Sequence, residues 1–247
     1  MVLGRELERQ GGWLFRWRTH LPLALLPILA IALAHSGGLE KLAGGLVDGI
    51  FRGLCVTISF AGLAFRCATA GFIPPAISTR CRDLSEAASL RTDGMYSLAR
   101  HPLYFGNFLI MLGIAMFTEV WWFVVIVVLA FALYFERIML AEEEELRRRF
   151  GDAYDKWAEK VPAFVPRFKG WQRPVTPFYF RSILKREYTG LLEILVAFAA
   201  IDFGGNWLAH RKVEINPAWL VAVAIGLVAY ITLWTLKKTT RVLEGRD

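Results

Sequence analysis

Six apolar runs, each close to the length of a bilayer crossing, limit this chain more than any other feature. They cover about residues 21–35, 46–65, 103–118, 120–139, 189–208 and 217–236, with charged or turn-forming connections between them. A helix needs about 20 apolar residues to cross the hydrocarbon core, and in lipid every main-chain polar group has to find its partner inside the protein. The expected fold is therefore all-α, a polytopic membrane helical bundle of about six transmembrane helices. The first, third and fifth runs are short or interrupted, so each also suits a tilted or re-entrant segment. Composition agrees, since 55% hydrophobic residues and a mean hydropathy of +0.41 exceed the roughly 45–50% apolar content of a soluble domain.

The basic residues supply an orientation. Lys and Arg collect on the cytoplasmic side of membrane proteins. With both termini inside, the inner segments hold Arg5 to Arg18, Arg66 to Arg100, Arg137 to Arg186 and Lys237 to Arg246, which is 25 of the 29. Only Lys41, Arg211 and Lys212 fall outside, and Arg52 lies within a span. The net charge of +7 is then a membrane-surface property, because an anionic inner leaflet attracts such segments, and no nucleic-acid partner is called for.

The first run ends Ala30-Ile31-Ala32-Leu33-Ala34, a small-x-small pattern. The polar and aromatic stretch before it is too long for the start of an ordinary signal peptide, so the run is expected to be retained. Cys55, Cys67 and Cys81 form no C-x-x-C pair, and the four histidines are scattered, so neither a metal nor a disulfide framework is indicated. No G-x-G-x-x-G after a strand, no Walker loop and no G-x-S-x-G occurs, which excludes a soluble nucleotide-binding domain.

The whole chain is read as one membrane domain with three parts. Residues 1–88 hold the N-terminal spans and an interfacial segment over 69–79, where Pro74-Pro75 interrupts the chain. Residues 89–168 hold a helical hairpin (103–139) turning near Thr118-Glu119, then an amphipathic helix over 141–161. Leu146, Phe150, Tyr154, Trp157 and Val161 line its apolar face, and Glu143–Arg147, Glu144–Arg148 and Glu145–Arg149 have the spacing of i,i+4 pairs. Pro162 and Pro166 are expected to end it. Residues 169–247 hold a basic loop and a C-terminal helix pair. Asp48 and Arg52, one turn apart within the second run, are expected to satisfy each other, and Asp202 a neighbouring helix.

Two polar clusters bracket the hairpin and return to the same face. One is Gly94-Met95-Tyr96-Ser97-Leu98-Ala99-Arg100-His101-Pro102-Leu103-Tyr104-Phe105-Gly106, and the other begins at Glu142-Glu143-Glu144-Glu145. Arg offers a planar fork for a carboxylate or phosphate, His exchanges protons near neutral pH, and Pro102 suits a helix start. Gly106 allows close approach to the helix backbone. A carboxylate at Glu142 or Glu143 would answer a cationic group on a cofactor. Each cluster also has a plainer reading, a positive flank in one case and a solvated helix face in the other.

At these residues the chain resembles the isoprenylcysteine carboxyl methyltransferase and phospholipid methyltransferase superfamily of integral membrane enzymes. The shared signature reads here as Gly94 to Gly106, Glu142 to Tyr154, and Val161-Pro162 to Pro166, about a third of the chain. The resemblance implies S-adenosyl-L-methionine bound at the cytosolic face in a pocket open to the bilayer. It implies that Gly94, Tyr96, Arg100, His101, Pro102, Tyr104, Gly106, Glu142 and Glu143 form the cofactor site, with Arg100, His101 and Glu142 closest to the chemistry. The implied acceptor is a lipid head group or lipidated carboxylate. Trp157 stands where the family often has a second Tyr, and four successive glutamates leave the functional register open. Sterol-type membrane reductases, which use NADPH, share the R-H-P-x-Y-x-G end and are the alternative; a non-catalytic membrane scaffold is a third.

Overall fold

The structure is a computed structural model, and it describes residues 2–17, 21–74, 90–211, 213 and 216–240. The expected all-α fold is found. Helix α1 (Val2–Trp17) is followed by a 3-10 turn (Leu21–Leu25), α2 (Leu26–Leu33), α3 (Gly38–Ala43), α4 (Gly45–Gly71), α5 (Pro102–Met116), α6 (Trp121–Phe150), α7 (Asp152–Ala158), α8 (Phe180–His210) and α9 (Pro217–Thr239). Among the described residues, α4, α6, α8 and α9 are long and apolar enough to cross a membrane. Helix α5 has 15 residues, about 22 Å at 1.5 Å per residue, so it is shorter than the hydrocarbon core. Val125, Leu129 and Leu133 of α6 and Leu220, Val221 and Ile225 of α9 are exposed, an apolar outer surface that only lipid satisfies. The chain is an integral membrane helical bundle.

Helices α4 and α5 pack most closely. A Cβ on Gly106 would lie 2.5 Å from Arg66 Cγ and 2.9 Å from the Gly62 carbonyl, and one on Gly113 would lie 2.4 Å from the Cys55 carbonyl. Ser59 Oγ donates to the Ile110 carbonyl across the same contact at 3.0 Å. The main core joins Leu33, Cys55, Phe117, Ile194, Phe198 and Ile201, and a second cluster of Ala32, Ala115, Val120, Phe123 and Val127 closes the α5–α6 hairpin.

The turn of that hairpin is where the sequence suggested, with Glu119 at φ +61°. The embedded charges meet there. Arg52 contacts Asp48 at 2.9 Å, Glu119 at 2.9 Å and Asp202 at 2.8 Å, so the expected Asp48 pairing and the neighbouring-helix partner of Asp202 are one cluster on one guanidinium. Four polar ends drawn together offset a desolvation cost that each would otherwise carry alone.

Four expectations need correction. The amphipathic helix over 141–161 is not separate: α6 runs unbroken from the apolar span to Phe150, Gly151 turns the chain at φ +49°, and α7 is a short helix that ends before Pro162. The i,i+4 pattern survives only at Glu145–Arg149, 3.5 Å. Arg147 turns instead to Glu144 and Asp155, and Arg148 reaches Glu8 of α1. Helix α8 begins at Phe180, about nine residues before the expected start. Its polar first turns are helical because Glu187 is buried against Arg66 of α4. Of the segment read as interfacial over 69–79, residues 69–71 are instead the last turn of α4; residues 75–79, the charged stretch 80–89 and Cys81 lie outside the described residues.

Candidate functional site

The loop before α5 is held from below by the strand-like return after α7. Arg100 N–H donates to the Pro162 carbonyl at 2.9 Å, His101 N–H to Ala163 at 3.1 Å, and Arg167 N–H to Leu98 at 3.0 Å. Gly94, in the left-handed region at φ +57°, donates to Gln172 at 3.0 Å, and Ser97 Oγ accepts from Gln172 N–H at 2.9 Å. Phe164 of the return packs edge-on against Phe105 and Phe108, 5.6 and 5.7 Å between centroids. These main-chain bonds tie the loop to the segment after α7.

With the loop fixed, Pro102 starts α5 and the extension of α6 lies opposite. His101 is 6% exposed and sits between two carboxylates, Nδ1 at 3.3 Å from Glu142 and Nε2 at 3.0 Å from Glu143. Arg100 Nε is 3.3 Å from the same Glu143 oxygen. Tyr104 Oη donates to Glu142 at 2.6 Å, and its ring stacks on His101 at 5.7 Å and leans on Phe135 at 4.8 Å. Of the four successive glutamates, Glu142 and Glu143 face α5, while Glu144 and Glu145 face the arginines.

Electrostatics follow from the geometry. Burial alone works against an imidazolium at His101, but hydrogen bonds and charge from Glu142 and Glu143 outweigh it and hold the group above its ordinary pKa. The Tyr96 phenol is pushed up to about 12, first by burial and then by the Glu142 charge. Tyr96 is therefore a neutral hydroxyl at physiological pH.

Most of the sequence candidates come together: Arg100, His101, Tyr104, Glu142 and Glu143 touch one another, and Tyr96 is close enough to feel Glu142. Gly94 and Pro102 shape the backbone. Gly106 faces α4 and serves the helix contact instead. Tyr154, which closes the Glu142-to-Tyr154 signature and lies on the apolar helical face, is fully buried; burial first and the Glu143 charge second raise its hydroxyl pKa. The Trp157 indole N–H is buried without a hydrogen-bond partner among the described residues.

Sequence reasoning missed Arg66, Asn107 and Glu187. Arg66 Nε and Nη2 reach the two Glu187 oxygens at 2.8 and 2.9 Å, and Nη1 bonds the Asn107 side-chain carbonyl. They stand at one end of a cavity of about 560 Å³ between α5, α6 and α8, walled by Ile110, Met111, Ile114, Phe131 and Phe135. Phe135 is also the ring beneath Tyr104, so the cavity and the charged cluster share a wall. Asn107 lies three residues from Tyr104, and no sequence spacing connects it to residue 187.

A helical membrane protein with a Glu–His–Arg–Tyr cluster at the foot of a hairpin and an apolar cavity beside it defines a class of membrane-interface proteins. Residues 76–153 match the family model described as Phospholipid methyltransferase. Similar proteins include the nickel-cobalt-cadmium resistance protein NccN of Alcaligenes xylosoxydans xylosoxydans, 36% identical over 148 residues, which is 60% of this chain and 62% of that one. The cobalt-zinc-cadmium resistance protein CzcN of Cupriavidus metallidurans is 39% identical over 116 residues, 44% and 53% of the two chains. The protein-S-isoprenylcysteine O-methyltransferase of Schizosaccharomyces pombe is 35% identical over 77 residues, 31% and 33%. The matches thus span between half and two thirds of the two resistance proteins. No solved structure matches. The likeness to the phospholipid methyltransferase model covers residues 76–153, the stretch that holds Arg100, His101, Tyr104, Glu142 and Glu143.

Proposed function

We propose that this chain is an S-adenosyl-L-methionine-dependent methyltransferase acting on a membrane-embedded acceptor, with its site at the cytosolic face. The observation that carries the reading is the cluster of Glu142 and Glu143 with Arg100, His101 and Tyr104 at 2.6–3.3 Å beside a largely apolar cavity. The donor set fits a zwitterionic cofactor. Glu142 and Glu143 would meet its cationic centres, Arg100 its carboxylate, and Tyr96 and Tyr104 would contribute aromatic faces to a cation. The Trp157 indole N–H is a buried donor that lacks an acceptor among the described residues.

Held by Glu142, Glu143 and Arg100, the cofactor would supply an electrophilic methyl group for transfer to the acceptor. What the chain itself contributes is placement. His101 is clamped by two carboxylates and by its main-chain bond to Ala163, so it presents a fixed edge to the site. Glu142, held by Tyr104, would take up a proton released by the acceptor. The neighbouring cavity lets the acceptor approach from the membrane side.

Purified protein should bind S-adenosyl-L-methionine and, more tightly, its demethylated product. Affinity for NADPH with none for either sulfur compound would establish the reductase alternative. Transfer of a tritiated methyl group into membrane extracts, with the product identified by mass spectrometry, names the acceptor; label confined to water-soluble thiols would overturn the membrane-acceptor half of the proposal. Two relatives are named for metal resistance. Under this reading, a contribution to such resistance would come from a methylated membrane component, and a strain carrying His101→Ala would lose it together with the methylated product.

A further inference from the structure

The cavity has a chemical preference of its own, separate from cofactor binding. Three charged side chains line it, Arg66, Glu187 and Glu193. Arg66 has its three guanidinium nitrogens engaged, two on Glu187 and one on Asn107. No free cation from this set faces the cavity. Glu193, thirteen residues into α8, has no hydrogen-bond or ion-pair partner among the described residues and is an exposed position. A lone carboxylate inside a membrane helix is costly and marks a functional position unless something answers it. The wall therefore carries two carboxylates against one cation that is already used. The rest of the wall is hydrocarbon and aromatic, and a volume of about 560 Å³ lies within the ~300–1,000 Å³ of single small-ligand sites.

We infer that this cavity binds a single-chain amphiphile bearing a cationic nitrogen, whose charge pairs with Glu193 while its chain lies against Met111, Ile114 and Phe131. An anionic amphiphile would lose its hydration and meet an unanswered carboxylate. Resting on the methyltransferase reading, this names the acceptor class as a long-chain amine in preference to a phosphate or carboxylate. The binding itself does not depend on that reading.

The test uses the full chain in phosphatidylcholine nanodiscs with photoactivatable diazirine derivatives of dodecylamine and lauric acid. Labelled peptides are mapped by mass spectrometry, and binding of S-adenosylhomocysteine is measured on the same samples. The amine probe should label α5, α6 and α8, be displaced by plain dodecylamine, and exceed the acid probe. Glu193→Gln, which keeps the shape, should weaken displacement by about tenfold, the loss of one charge-assisted contact, while Glu136→Gln, an exposed carboxylate elsewhere on α6, leaves it unchanged. Ala130→Phe, which fills the cavity, should abolish labelling. Equal labelling by the acid probe, or displacement unaffected by Glu193→Gln, overturns the inference. S-adenosylhomocysteine binding that fails while amine labelling persists would instead remove the methyltransferase reading and leave this one standing.

Discussion

Replacing Glu143 by Ala removes the residue that joins the two halves of the site. Its side chain is 16% exposed and lies 3.0 Å from His101 Nε2 and 3.3 Å from Arg100 Nε. A hydrogen bond to a charged group is worth about 1.5–3 kcal/mol, and breaking a buried pair by removing one partner costs about 3–5 kcal/mol. His101 keeps Glu142 at 3.3 Å, which absorbs part of the loss, so the expected penalty is about 3 kcal/mol, or on the order of a hundredfold in an equilibrium constant. Glu145 is the comparison. It sits two residues further on and pairs at 3.5 and 3.8 Å with half-exposed arginines, so Glu145→Ala should cost no more than about 1 kcal/mol. Thermal unfolding in one detergent reads the two penalties, and calorimetric titration of S-adenosylhomocysteine on the same samples reads whether the loss at 143 reaches ligand binding. Glu143→Gln should fall between them, because the amide oxygen still accepts from His101 while the charge is gone. Equal losses at 143 and 145, or none at 143, would refute the assignment of Glu143 to the site.

Three further outcomes follow from the same structure. His101 has a raised folded-state pKa, so its contribution to stability is complete below the unfolded value near 6.5 and is lost as pH rises through the folded value; unfolding curves collected across that window should show the loss, and His101→Gln should flatten it. Gly106→Ala places a methyl group 2.9 Å from the Gly62 carbonyl and 2.5 Å from Arg66 Cγ, and should destabilise the α4–α5 pair by about 1–3 kcal/mol, read as a lower melting temperature. Arg52→Met leaves Asp48, Glu119 and Asp202 facing one another and should cost about 3–5 kcal/mol; a second change, Asp202→Asn, should recover part of that, and no recovery would mean that the cluster is not electrostatically coupled.

What the residues determine alone is what depends on each segment separately. Whether a run enters lipid is a property of its own length and apolarity, so the positions of α4, α6 and α9 and the turn at Thr118-Glu119 were all readable. That these residues could meet was readable too, because Arg100, His101 and Tyr104 flank one helix and Glu142 and Glu143 the next. Which carboxylate meets which cation was not. Successive residues turn by about 100° around a helix of 3.6 residues per turn, so four adjacent glutamates point in four directions, and only the rotation of α6 against α5 decides that 142 and 143 face His101. The same holds for the beginning of α8. Its first turns look like a basic loop until Arg66, 121 residues away in sequence, buries Glu187. That distant pairing also decides the cavity, whose walls come from several helices and whose charge balance belongs to no local stretch. Long-range contacts cannot be read from spacing because they are set by how whole helices rotate and pack, and here that packing turns a row of charged residues into a site with two distinct chemical ends.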